Sequence, residues 1–204
     1  PMKNLLTFIF LFFFLTHFRA QTVDPLKTKD VEAQEIWVDS ILKTMTIDEK
    51  IGQLFMMQAY SNSDKKHEDF ISELISKYHI GNLIFMQGTP EKQALLTNQY
   101  QAISKLPLMI GFDGEWGLDM RLKYTYKFPW NTTLGAIQDE NLIQKFGEHL
   151  GRHCKRLGIH INFAPVVDIN TNPENPIIGN RSFGEMKENV TQKAIAFTQG
   201  MQKM

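Results

Sequence analysis

The chain has 204 residues, with 22 basic and 22 acidic side chains and a formal net charge of zero. That balance gives no electrostatic reason to expect nucleic acid or an acidic polymer as a partner. A single cysteine, Cys154, excludes an intramolecular disulfide, so an apolar core must carry the stability.

Residues 2–21, "MKNLLTFIFLFFFLTHFRAQ", place one Lys before an apolar stretch from Leu5 to Leu15 and end at Ala20-Gln21. This is the layout of a secretory signal peptide, and the stretch is shorter than the ~20 residues needed to span a bilayer. The expectation is an exported protein, periplasmic or extracellular, beginning near Gln21 and without a stable membrane span once the leader is removed. A polar segment, "QTVDPLKTKD", follows. The division expected is 1–20 leader, 21–35 linker and 36–204 folded domain.

Apolar residues at Ile36, Val38, Ile41, Leu42 and Met45 predict a helix with one buried face over Val31 to Met45. Thr46 and Glu49 form a capping-box pattern that starts a short helix over "IDEKIGQLF". A helix from Asp64 to His79 then ends at Gly81 and leads into "NLIFM". The same alternation recurs in "EKQALLTNQYQAISKL" before "PLMIGFD", and in "DENLIQKFGEHLGRHCKRLG" before "IHINFAPVVDI". Helix-then-strand units in series predict an α/β fold with a mostly parallel sheet. A last helix, with Val190, Ala194, Phe197 and Met201 on one face, runs to the final residue without a stop signal. An eight-stranded parallel barrel needs ~250 residues, so about its N-terminal half is expected here.

In parallel α/β sheets, ligands sit beyond the carboxyl ends of the strands. Asp113 lies at such an end, in "LMIGFDGEWGLDMRL", followed by Gly114, Glu115, Trp116, Gly117, Asp119 and Arg121. A carboxylate there can accept two hydroxyl hydrogen bonds while a Trp offers an apolar face, the mixture that a sugar presents. A second strand-end segment, "INFAPVVDINTNPENPIIGNRSFGE", delivers Asp168, Asn170, Asn172, Asn180 and Arg181. The plainer reading of these residues is structural: a surface loop with a tucked Trp, and an Arg181–Asp168 ion pair that ties down the long loop.

"GFDGEWG", then "RL", then the run from "FPWNTTLGAIQ" to "GNRSFGE", resembles the N-terminal barrel domain of family-3 glycoside hydrolases, from about Ile36 to the end. "NPIIGNRSFG" is more similar to the β-N-acetylglucosaminidase branch than to the β-glucosidase branch, whose Arg-Trp-Gly-Arg pattern is absent. The resemblance implies a (β/α)8 TIM-barrel-like domain and hydrolysis of terminal N-acetylglucosamine from glycans by a retaining covalent mechanism. By the same resemblance Asp113 and Arg181 contact the sugar at the scissile bond, with Arg121 as a further loop contact. Trp116 departs from the family's usual Asp-Gln-Glu-Gly-Gly.

Residue chemistry alone nominates Asp113 and Glu115 as the paired carboxylates of a retaining glycosidase, which stand about 5 Å apart. The resemblance instead puts the nucleophilic Asp and a His-Asp acid/base in segments after Met204, so no catalytic residue is expected in this chain and the isolated fragment is expected to be inactive. It implies no metal or other cofactor. His149 and His153, four apart on a predicted helix, lack a third ligand, and Cys154 reads as a small buried apolar residue. "NTT", "NRS" and "NVT" fit the glycosylation-acceptor pattern. Two alternatives stay open, a non-catalytic secreted sugar-binding protein and a β-glucosidase of the same family. A phosphate-binding barrel lacks a Gly-rich cradle.

Overall fold

A computed structural model of the chain describes Thr28 and residues 30–204. The expected leader falls outside the described residues. The chain divides into two compact units, 1–45 and 46–204. In the first, helix α1 (Val31–Leu42) is capped by Asp30, whose carboxylate accepts from the Ala33 N–H at 2.9 Å. The helix is where the periodicity predicts it, but the expected buried face does not form, and Ile36 and Trp37 are 65% and 63% exposed. No second described element of its own unit lies against it.

The second unit opens with α2 (Ile47–Gly52). Its capping box is complete: Thr46 Oγ1 accepts from the Glu49 N–H, and Glu49 Oε2 accepts from the Thr46 N–H. Strand β1 (Met56–Ala59) comes next, where no separate strand is expected from the hydrophobic pattern. The order continues as α3 (Lys65–Tyr78), β2 (Asn82–Phe85), α4 (Pro90–Ile103), β3 (Met109–Phe112), α5 (Asn131–Gly135), α6 (Glu140–Arg156), β4 (Ile161–Asn162) and α7 (Lys187–Gln202). Single 3-10 turns at Leu118–Met120 and Gly179–Arg181 interrupt the two long loops.

The helix starts follow from their caps: Asp64 accepts from the His67 N–H, Thr89 from the Lys92 N–H ahead of Pro90, and Asp139 from the Asn141 N–H. The end of α3 corrects one expectation. The helix ends at Tyr78 with His79, at φ 54, as its left-handed cap, two residues before Gly81. Gly81 is needed for a different reason, because a Cβ there would lie 2.7 Å from Gln53 Oε1 and 2.9 Å from its backbone.

The four strands are all parallel, in the order β1-β2-β3-β4. Sequential order with helical crossovers is the pattern of a closing barrel, whereas a doubly wound sheet reverses its order midway. β4 is much shorter than "IHINFAPVVDI" suggests. The Phe163 N–H still donates to Phe112 O at 2.8 Å, but Pro165 has no N–H to continue the ladder. Beyond it the chain leaves the sheet, as the sites of parallel sheets require.

Leu83, Phe85, Ile110 and Phe112 are fully buried and meet Ile71 and Ile75 of α3, Leu96 of α4, and Ile143 and Leu150 of α6 in one core. Each such side chain contributes about 1.5–3 kcal/mol on burial. The predicted face of α7 is present, with Val190 and Phe197 buried. Lys193 of the same helix is also buried, and its Nζ reaches Glu140 Oε1 at 2.6 Å. Helices α6 and α7 pack backbone to backbone, since a Cβ on Gly200 would lie 2.1 Å from Gln144 O.

Candidate sugar-binding site

The apolar run of β3 ends at Phe112, and Asp113 is the first residue past it. The loop it starts is held by β4. Asn162 Oδ1 accepts from the Gly114 N–H at 2.8 Å, and its Nδ2 donates to Gly114 O at 3.4 Å. A Cβ at Gly114 would lie 3.2 Å from that Oδ1, so the glycine keeps the contact close. Gly117, at φ 111, completes the turn against the ring of Phe128.

Two carboxylate–guanidinium pairs stand on this loop. Arg121 Nη2 donates to Asp113 Oδ2 at 2.5 Å, with side chains 18% and 24% exposed. Asp113 Oδ1 and the buried Arg121 Nε have no partner among the described residues. The second pair is long-range. Arg181 Nε lies 2.9 Å from Glu115 Oε2, and its Nη2 lies 2.6 Å from Oε1. Glu115 is nearly inaccessible in this fork, its side chain 5% exposed against 35% for Arg181. The Glu115 hydrogen bonds hold the Arg181 pKa above the ordinary range, against desolvation that lowers it. The charges of Glu115, Asp168 and Asp113 act in the same raising direction.

The fold thus brings Asp113, Arg121 and Arg181 to one strand end. The expected alternative, an Arg181–Asp168 ion pair, is not what forms: the guanidinium is taken by Glu115. Asp168 is exposed, and its backbone carbonyl accepts from Ser182 Oγ at 2.5 Å. Glu115 is therefore also unsuited to the acid/base role that its residue type suggested, because both of its oxygens are engaged by Arg181.

Three holding residues escaped the sequence reading. Asn162 clamps Gly114, Asn131 Nδ2 donates to Arg181 O at 2.8 Å, and Thr132 Oγ1 donates to Ser182 O at 3.1 Å. The only signal for Asn131 and Thr132 lay in "NTT", which reads as a glycosylation pattern. Asn131 is fully buried, and Asn189 of "NVT" spends its amide on Gly135 O and Phe183 O, so of the three patterns only Asn180 is exposed. Asn170, also singled out, donates its backbone N–H to Gly184 O, and Asn172 Oδ1 accepts from the Glu174 N–H.

The remaining candidates have packing roles. Cys154 is buried, which pushes its thiol up to about 11. His160 Nδ1 accepts from the Ile110 N–H at 2.9 Å. His153 sits beside the Phe128 ring, with centroids 6.4 Å apart, and burial lowers its pKa. Among the described residues no cluster of three or more His, Cys, Asp or Glu is placed to hold a metal ion. No described helix is long and apolar enough to cross a membrane.

Parallel strands in sequential order, with paired carboxylates and guanidiniums past their carboxyl ends, define an α/β barrel-type domain. The chain belongs to glycoside hydrolase family 3: the family described as "Glycosyl hydrolase family 3 N terminal domain" matches residues 46–204. It is 37% identical over 139 residues to a protein of Pseudoalteromonas piscicida named Beta-hexosaminidase A, covering 62% of this chain and 23% of that protein. A Cellulomonas fimi protein named Beta-N-acetylglucosaminidase/beta-glucosidase is 28% identical, covering 81% of this chain and 29% of its own length. The chain therefore spans less than a third of either relative. Among solved structures, a family-3 beta-N-acetylglucosaminidase from Paenibacillus sp. str. FPU-7 superposes with a TM-score of 0.69 at 32% identity, over 78% of this chain and 31% of that one.

Proposed function

We propose that this chain supplies the first part of a retaining glycoside hydrolase that releases terminal N-acetylglucosamine, and that Asp113, Arg121 and Arg181 bind the terminal sugar. The observation that carries the reading is the asymmetry of the Asp113 carboxylate. One oxygen is fixed by Arg121, and the other is free to accept from a hydroxyl in a side chain 24% exposed at a strand end. Three of the five N–H groups of Arg181 are engaged, by Glu115 and by Ile177 O, and two remain for a sugar oxygen. Both residues are oriented before ligand arrives, which lowers the ordering cost of binding.

In a retaining mechanism a carboxylate attacks the anomeric carbon while an acid protonates the leaving oxygen, and water then reverses the steps. The family resemblance assigns both groups to segments outside this chain. The described residues hold the ring in place, and their hydrogen bonds to hydroxyls strengthen as the ring acquires oxocarbenium character. A cleaved secretory leader, and so an exported enzyme, belongs to the same proposal. It is supported by the layout of residues 2–21, and N-terminal sequencing of exported protein beginning near Gln21 is its test.

The second reading is β-glucosidase, favoured by the double name of the Cellulomonas fimi relative. Assays of the full-length product of the reading frame on aryl β-N-acetylglucosaminide and aryl β-glucoside separate the two. Faster turnover of the former, with the β-anomer as first product by NMR, is expected. Preference for the glucoside transfers the assignment to β-glucosidase, and turnover of neither overturns the hydrolase reading.

A further inference from the structure

Ser61 and Gly88, outside both ion pairs, join the loops that follow β1, β2 and β3. Ser61 stands just past β1 and is 4% exposed, and its N–H and its hydroxyl both donate to Gln87 O, at 2.8 and 2.9 Å. Gln87 leads into the buried Gly88, and Thr89 beyond it caps α4. The segment is therefore tied down on both sides of the glycine. Gly88 in turn reaches the third loop. Its N–H donates to Arg121 O at 3.3 Å, and its carbonyl accepts from the Lys123 N–H at 2.9 Å, an isolated parallel bridge to Leu122.

Only glycine fits this position. Its φ of 146 is one that L side chains rarely adopt, and a Cβ would overlap Ser61 Oγ and lie 2.9 Å from Ser61 Cβ. The bridge extends no strand, so sheet pairing does not account for it. What it fixes is the backbone that carries Arg121. Gly88 holds the Arg121 carbonyl, the Arg121 N–H donates to Leu118 O at 3.0 Å, and Leu122 is fully buried. The guanidinium meets Asp113 through a single hydrogen bond, Nη2 to Oδ2 at 2.5 Å. A long, jointed side chain keeps one such bond in place only while its own backbone stays put.

We propose that Gly88 is a positioning residue of the sugar site. Its backbone clasps the chain on either side of Leu122, with Ser61 closing against it, and so keeps Arg121 on one oxygen of Asp113 and the other oxygen free for a hydroxyl. The inference rests on the sugar-hydrolase reading above and supplies what holds one of its three residues in place. Gly88 itself touches no substrate and acts through Arg121.

The test is a double-mutant cycle in the full-length protein, with kcat/KM measured on the aryl β-glycoside that the wild type prefers, well below every variant's melting temperature. Gly88→Ala is expected to lose roughly tenfold or more, as a displaced positioning group does. Arg121→Ala loses at least as much, and the double variant loses no more than Arg121→Ala alone. Hydrogen exchange at the Lys123 amide should quicken in Gly88→Ala. If Gly88→Ala does not fold, Ser61→Ala carries the same cycle, since it removes one hydroxyl and adds no bulk. Its expected loss is about threefold, absent when Arg121 is already alanine. Losses that multiply in the double variant show that Gly88 acts elsewhere and overturn the proposal, while the hydrolase reading stands. Wild-type kinetics in Gly88→Ala, or in Arg121→Ala, overturn it equally. If the wild type turns over neither the N-acetylglucosaminide nor the glucoside, the hydrolase reading falls and the positioning role with it, whatever the exchange rate at Lys123.

Discussion

Asp113–Arg121 and Glu115–Arg181 are the same chemical pair, carboxylate and guanidinium, with both acids on the same loop, and they are built for opposite ends. The first joins residues 8 apart through one hydrogen bond and leaves a carboxylate oxygen and the Arg121 Nε without a partner among the described residues. The second joins residues 66 apart through a fork that engages both oxygens of an acid 5% exposed. An ion pair with spare hydrogen-bonding capacity at the surface can exchange some of it for a ligand. The buried Glu115 carboxylate has no such capacity left, and loss of its partner leaves its charge stranded.

The largest effect is expected from Arg181→Ala, which strands Glu115. It should lower stability by about 3 kcal/mol, the low end for breaking a buried pair because solvent reaches Arg181. Urea unfolding of the variant measures this, and a change under about 1 kcal/mol would make the two pairs equivalent. Asp113→Ala should leave unfolding almost unchanged. In the full-length enzyme it should cost ten- to a hundredfold in kcat/KM, since a hydrogen bond to a charged group contributes about 1.5–3 kcal/mol. A large fall in stability with normal kinetics would reverse the roles.

Asn162→Ala tests the clamp between the pairs. It removes both hydrogen bonds to Gly114, with an expected cost of about 1–2 kcal/mol and faster hydrogen exchange at the Gly114 amide. Unaltered exchange there would mean that the turn holds itself. The smallest effect lies outside both pairs. Burial depresses the His153 pKa from 6.5, so the folded state resists a proton that the unfolded chain takes up. The stability this protects is present above about pH 6.5 and is lost as pH falls through the depressed folded value. His153→Phe should flatten that part of the melting-temperature profile, and an identical profile in both proteins would remove His153 as the cause.

The sequence made much of this legible because the signals were local. The capping box at Thr46, the helical stretches that begin at Asp64 and Asp139 and the one-faced pattern of α7 mark the helices, and β2 and β3 stand out as apolar runs between polar punctuation. Strand β1 was hidden because "MMQA" follows the apolar end of α2 without a break in hydrophobicity. Asp113, Arg121 and Arg181 were visible through their place after strands and through family resemblance. What held them was not, since the partners of Glu115 and Gly114 lie 66 and 48 residues away and hydrogen-bond reach across a sheet leaves no trace in spacing. Lys193 was invisible for the same reason, as its burial depends on Glu140 of another helix.

The 66 residues between Glu115 and Arg181 also set a clock. A ribosome adds about 5–20 residues per second, so roughly 3–13 s separate the synthesis of the two. During that interval the α3, β2 and α4 segments have been made and can begin to associate, while Glu115 waits as a hydrated surface acid. The fork that holds the Glu115 loop can close only when Arg181 emerges. A translational pause placed between these codons would lengthen the lifetime of an intermediate with its sheet begun and the Glu115–Arg181 fork unformed, and one placed after residue 181 would not.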